Sequence, residues 1–172
     1  RSYERLTLGD LGKLLNLSMD EHDNFFHRHP VYRKLKLLSI CLCQGGALHY
    51  IDGKTGIRDF DVFIFFDNNT PIRYPFRRRG FADFGESKFG KTKSNQDPPP
   101  TKMAKAKGKV IDVMGRQIPN IDDDYVKSLQ TYLKKGLASE NDSSTPYRLA
   151  QKAVVTLWPT EDLGKVIWPK KQ

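Results

Sequence analysis

The sequence predicts an α/β fold, a small mixed sheet flanked by helices from both ends of the chain. Three observations predict it. Leu35 to Cys43 is a nearly continuous apolar run of the kind that forms a buried strand. Ile57 to Phe66 is a second strand, rich in aromatic and β-branched residues, and Lys109 to Met114 (KVIDVM) is a short third. Apolar residues at helical spacing mark amphipathic segments near the N-terminus and beyond Asp122.

Taken in order, the segment up to His29 predicts two short helices. Thr7 caps the first, which carries Leu8, Leu11, Leu14 and Leu15 on one face and ends by Asn16; Ser18 with Glu21 forms a capping box for the second. Phe25 and Phe26 anchor this helix on the sheet, and Pro30 ends it. His22, His27 and His29 match no metal-ligand spacing and are expected as solvated helix-end histidines. After the first strand, Gly45-Gly46 allows a tight turn. Beyond Asp112, Gly115-Arg116 begins another, with Arg116 facing a phosphate or leaving for solvent.

Asp122 to Ala138 predicts a helix with Tyr125, Val126, Leu129, Tyr132 and Leu133 on its apolar side. Thr145-Pro146 opens a last long helix from Tyr147 to about Trp158, on which Arg148 and Lys152 share a face. Trp158 and Trp168 are expected as core anchors. The chain thus divides into N-terminal helices over 1–34, a core over 35–118 with an insertion at 71–108, and a C-terminal helical segment over 119–172.

Asp59 and Asp61 stand where the second strand calls for apolar residues. Alternate residues of a strand share a face, so the two carboxylates are expected on one side, roughly 7 Å apart. Such a pair is costly unless a cation or a basic partner lies between them, and a hard divalent cation fits. Asp112, between Ile111 and Val113, repeats the pattern and would complete an oxygen cage for Mg²⁺ or Mn²⁺. The plainer alternative is a strand-entry turn or a pair of solvated edge residues.

The order Gly45-Gly46, Ala47 to Ile51, Asp59-Phe60-Asp61, Ile111-Asp112-Val113 resembles the nucleotidyltransferase superfamily typified by DNA polymerase beta. The resemblance covers residues 35 to 118. It implies Asp59 and Asp61 as metal ligands, Asp112 as third carboxylate, and Gly45-Gly46 as the turn whose amides approach the nucleotide phosphates. Two departures stand out: Ala47 supplies no hydroxyl where many members have Ser, and the insertion separates Asp61 from Asp112 widely. Lys54 and Arg58 lie between the glycines and the aspartates; contact with a triphosphate and simple balancing of the carboxylates both remain open. Arg148 and Lys152 are candidates for the same triphosphate, against an exposed basic face.

Charge supports a polyanionic partner. The chain of 172 residues carries a formal net charge of +9, and Arg73 to Lys109 holds eleven Lys or Arg against Asp83, Glu86 and Asp97. A basic flap there would steer nucleic acid or nucleotide phosphates, against the plainer reading of a solubilising loop, and the interleaved Tyr74, Phe76, Phe81, Phe84 and Phe89 suit stacking or packing. Residues 95–109 are expected to lack stable structure. Gly85 to Thr92 (GESKFGKT) matches a phosphate-loop pattern but lacks the flanking strand and helix that make the motif work, and Asp83-Phe84-Gly85 lacks the companion signatures of a kinase.

No apolar run reaches the length of a membrane span, so no membrane partner is expected. Cys41 and Cys43, two apart in one strand, suit buried thiols in a cytoplasmic protein. Arg1 in first place is what numbering that starts inside a longer or processed sequence would give. The expected function is metal-dependent transfer of a nucleoside monophosphate from an NTP to an RNA, protein or small-molecule acceptor. The competing class is a non-catalytic protein that keeps the fold and binds nucleic acid or a partner through the basic insertion.

Overall fold

The computed structural model describes residues 4–75, 79–83, 110–139 and 142–170, with 79–83 and 110 as backbone. Six strands form one mixed sheet in the order β3-β4-β2-β1-β5-β6. They are β1 (Leu37–Cys43), β2 (Phe60–Asp67), β3 (Arg79–Asp83), β4 (Val110–Ile118), β5 (Val154–Trp158) and β6 (Val166–Trp168). Central β2 and β4 are parallel, and every other neighbouring pair is antiparallel. The α/β class expected from the sequence is the class observed.

Helices cover both faces of the sheet. On one face lie α1 (Leu8–Arg28) and α2 (Gln44–Asp52), where Leu11, Leu14 and Ala47 pack with Ile40, Leu42, Phe60, Val62 and Ile111. On the other lie α3 (Tyr125–Ser139) and α4 (Thr145–Ala150), where Leu129, Leu133 and Leu149 pack with Cys41, Phe63, Phe65 and Ile118. Alternation along β2 explains the division: Phe60, Val62, Ile64 and Phe66 face α1, while Phe63 and Phe65 face α3 and α4. Both sets are buried, which is why the strand reads as almost unbroken apolar sequence.

The N-terminal segment differs from expectation. Thr7 caps α1 as expected, with Asp10 completing a reciprocal capping box. The helix then runs unbroken to Arg28, because Ser18 is buried inside it and donates its hydroxyl back to the Leu14 carbonyl at 2.8 Å instead of capping a new start. Phe25 and Phe26 are buried, and Phe26 lies 5.8 Å from the Phe66 ring. His22 is not a solvated helix-end histidine: its ring packs 4.2 Å from Phe26 and stacks on Phe66.

Two further expectations fail for reasons of pairing. Gly115 and Arg116 form no turn; they continue β4, which stays in register with β2 as far as Ile118. The long C-terminal helix is absent. Thr145-Pro146 does open α4, with Ser144 accepting from the Tyr147 amide, but the helix stops at Ala150 and the β-branched run Val154-Val155-Thr156 becomes β5 beside β1. Arg148 and Lys152 therefore do not share one helix face. The 119–172 segment supplies two strands as well as two helices. Trp168 is partly buried and donates its indole N–H to the Ala150 carbonyl at 2.8 Å; Trp158 is likewise partly buried against the α1 face.

Candidate metal centre

Asp61 is the second residue of β2, and its neighbours Phe60 and Val62 both face α1. Asp61 therefore points to the opposite face, the side of α3 and α4. In β4, Ile111 and Val113 face α1, so Asp112 emerges on that same side. The parallel register makes Asp61 and Asp112 direct partners. Asp59 lies just ahead of β2, in the bend that delivers the strand, rather than within the strand as expected.

One oxygen from each of the three carboxylates lies within 4.8 Å of the others, and no other such group of metal-ligating side chains occurs among the described residues. Asp112 is only 5% exposed, while Asp59 and Asp61 are half-buried. Three carboxylates so close repel one another, and burial of one adds a desolvation cost; a bound cation offsets both. The donor set is all oxygen, which suits a hard divalent ion such as Mg²⁺ or Mn²⁺.

The start of α2 adjoins this cluster. Cys43 ends β1, pairs with Asp61 on one side and with Val154 on the other, and is followed at once by the helix. Gly45 and Gly46 lie in the first turn of α2 and not in a separate turn. The strained residue is Gln44, with φ of 58°, whose amide donates to the Ala153 carbonyl at 3.0 Å. The glycines differ in purpose. A Cβ on Gly46 would meet Leu42 at 3.0 Å and Phe60 at 3.3 Å, so packing is tight there. A Cβ on Gly45 would meet nothing within 4 Å, which leaves open surface at a helix N-terminus, where backbone N–H groups favour an anion.

The four candidate cations are all exposed, and they differ in how the chain places them. Arg58 immediately precedes Asp59, and Lys54 lies in the connector between α2 and β2; both side chains are exposed. Lys152 is exposed and adjoins Ala153, the residue bonded to Gln44, so it is brought beside the start of α2. Arg148 is exposed on α4, close enough to Tyr132 for its charge to act on that phenol.

Three features of the site escaped sequence reading. Arg116 neither exits to solvent nor begins a turn: its Nε donates to the Tyr132 hydroxyl at 3.1 Å and its Nη2 donates to the Thr145 hydroxyl, tying β4 to α3 and α4 on the carboxylate face. Burial pushes the Tyr132 phenol up, against the opposing pull of Arg116. Burial also pushes the Cys43 thiol well up, with Cys41 and the Asp61 charge adding to the effect. The third feature is the connector. Asp52 accepts from the amides of Lys54 and Thr55 at 2.8 and 3.0 Å and from the Thr55 hydroxyl at 2.7 Å. Burial raises its pKa, but these bonds outweigh burial and hold the carboxyl below its usual range. The Asp-Gly-Lys-Thr sequence carried the signal, since an Asp side chain capping amides two and three residues on is a local turn pattern.

The rest of the basic insertion, including GESKFGKT, Phe76, Phe84 and Phe89, lies outside the described residues, apart from the backbone of β3 that borders β4. No family model, no curated protein and no solved structure matches the chain.

Proposed function

We propose that the protein is a metal-dependent nucleotidyltransferase of the superfamily typified by DNA polymerase beta, transferring a nucleoside monophosphate from an NTP to a hydroxyl of an RNA, protein or small-molecule acceptor. The observation that carries this reading is the approach of Asp59, Asp61 and Asp112 to within 4.8 Å beside the N-terminus of α2. Alone, an acidic cluster is weak support. Joined to the open start of α2 at Gly45 and to exposed Arg58, which immediately precedes Asp59, it supports both a metal and a triphosphate.

Asp59 and Asp61 would hold two Mg²⁺ or Mn²⁺ ions between them, and Asp112 would hold the ion on the acceptor side. When bound, such ions activate the attacking oxygen and neutralise charge on the leaving pyrophosphate. Asp112, the most buried of the three, would receive the proton of the acceptor hydroxyl. The first amides of α2 would accept the triphosphate, with Lys54, Arg58, Arg148 and Lys152 supplying compensating charge. The basic insertion would guide a polyanionic acceptor. Among the described residues no helix is long and apolar enough to cross a membrane. Cytoplasmic residence accords with two free buried thiols, Cys41 and Cys43.

The test is transfer of label from each α-phosphate-labelled NTP, with Mg²⁺ or Mn²⁺, into total RNA, a protein extract or small-molecule products. Wild type should label one fraction, and an Asp59→Asn, Asp61→Asn double variant should label none. Equal labelling by both would refute the assignment of the aspartates. Absence of label from folded wild type, with salt-sensitive nucleic-acid binding that both proteins share, would replace the enzyme reading with that of a binding protein.

A further inference from the structure

The connector between α2 and β2 joins the two halves of the proposed site, the glycine-bearing helix start and the aspartate-bearing strand. Its geometry is fixed from one side by a histidine. His49 is wholly buried in α2, and its Nδ1 lies 2.7 Å from the carbonyl oxygen of Thr55. A carbonyl only accepts, so Nδ1 carries the proton and donates it. Thr55 is gripped from its other side by Asp52, which takes both its amide and its hydroxyl. Beyond Thr55, Ile57 is fully buried in the core on the α1 face, and Asp59 follows two residues later.

We infer that His49 is a positioning residue for the metal centre, which holds the Asp59 carboxylate in place through the Thr55 carbonyl without touching the ion. This rests on the reading of Asp59, Asp61 and Asp112 as metal ligands. The physical reason is that Asp61 and Asp112 are fixed by the β2–β4 register, whereas Asp59 precedes the ladder and depends on the connector for its position. A ligand delivered by a loop is only as well placed as the contacts that hold the loop. Buried within one turn of the helix end, His49 reaches a backbone carbonyl, so the hold does not depend on the identity of the residue it grips.

Titration of the purified full chain with Mn²⁺, read by the paramagnetic signal of the free ion, tests this alongside thermal melts of the same proteins. His49→Leu fills a similar volume and removes the donor, and it should weaken Mn²⁺ binding about tenfold, the loss typical of groups that orient a ligand. His49→Asn keeps an N–H near the Nδ1 position and should stay within about twofold of wild type. If His49→Leu does not fold, His49→Phe, which keeps a ring and removes the donor to the Thr55 carbonyl, should show the weakening instead. A residue with a purely structural role would lower the melting temperature and leave Mn²⁺ affinity unchanged. That pattern in a folded His49→Leu, or in His49→Phe where the first is unfolded, overturns the inference while leaving the metal centre standing. Failure of wild type to bind Mn²⁺ more tightly than Asp59→Asn overturns the metal centre and the inference with it.

Discussion

Asp61 and Asp112 are direct register partners across the parallel ladder of β2 and β4, so two carboxylates distant in the chain sit side by side on one face of the sheet. Their separation is set by strand spacing, about 4.8 Å, and not by side-chain flexibility. Asp59 then closes the triangle from the bend ahead of β2. Repulsion among the three is built into the backbone, and this makes the site's charge measurable as stability.

Asp61→Asn should abolish Mn²⁺ binding and nucleotidyl transfer while preserving the fold, because it removes charge and not volume. In metal-free buffer the variant should melt within a few degrees of wild type, so that lost Mn²⁺ binding is not lost folding. Adding Mn²⁺ should raise the wild-type Tm and leave the variant unmoved. A variant that melts well below wild type in metal-free buffer would mean that Asp61 is held by a protein partner and has a structural role.

Helices α3 and α4 meet at Gly136. A Cβ there would fall against the Tyr147 amide nitrogen and the Pro146 carbonyl carbon, which are backbone atoms that cannot turn aside. Gly136→Ala should cost about 3 kcal/mol despite the better helix propensity of alanine, as overpacking outweighs propensity. Urea unfolding gives the value. A stabilised variant would show that the two helices can separate freely.

Gly115 lies under the ring of Tyr74, where an added Cβ would coincide with the ring carbons. Tyr74 packs 4.9 Å from Phe66 and 5.3 Å from Phe25, so displacing it disturbs the aromatic cluster that joins α1 to the sheet. Gly115→Ala should destabilise by about 2 kcal/mol in wild type but by much less in a Tyr74→Ala background. A double-mutant cycle by urea unfolding measures that coupling, and additive losses would refute the contact.

Alkaline pH should unfold the protein through its buried thiols and phenols. Burial pushes Cys41 up to about 12 from an ordinary 9.0, and burial likewise pushes Cys43 well up. Tyr125 is raised from 10.0 by burial and by its 2.6 Å hydrogen bond to Asp162. Each group binds its proton more tightly when folded, so the stability it confers is complete below the ordinary value and is lost as pH rises toward the folded one. Urea midpoints should therefore fall from about pH 9 upward. Tyr125→Phe should be less stable at neutral pH yet show a shallower decline above pH 10, where the phenol of the unfolded chain ordinarily ionises. An equal slope would show that Tyr125 does not contribute.

Much of this arrangement was legible because it is written locally. The apolar run of β1, the aromatic run of β2, the Thr7 cap, the Phe25-Phe26 anchor and the misplaced aspartates each declare themselves within a few residues, through period, propensity or broken pattern. What misled was equally local. Ser18 has the look of a cap, but a buried serine can satisfy itself on the Leu14 carbonyl and let the helix continue. Gly115 has the look of a turn, but it is the glycine over which Tyr74 lies. Tyr147 to Trp158 reads as a helix, yet the sheet still had an edge beside β1, and pairing with Cys41 to Cys43 drew Val154 to Thr156 into a strand.

By itself, then, the sequence determined which apolar runs form the sheet core, which segments carry carboxylates, and that those carboxylates interrupt an apolar pattern. Local hydrophobicity and backbone preference suffice for that. Tertiary structure alone decided that Asp61 and Asp112 are register partners, that Arg116 turns inward to Tyr132 and Thr145, and that His49 reaches Thr55. Those relationships depend on which strand lies beside which and how an added edge closes the sheet. Register is a long-range choice made by the whole core, and no window of sequence contains it.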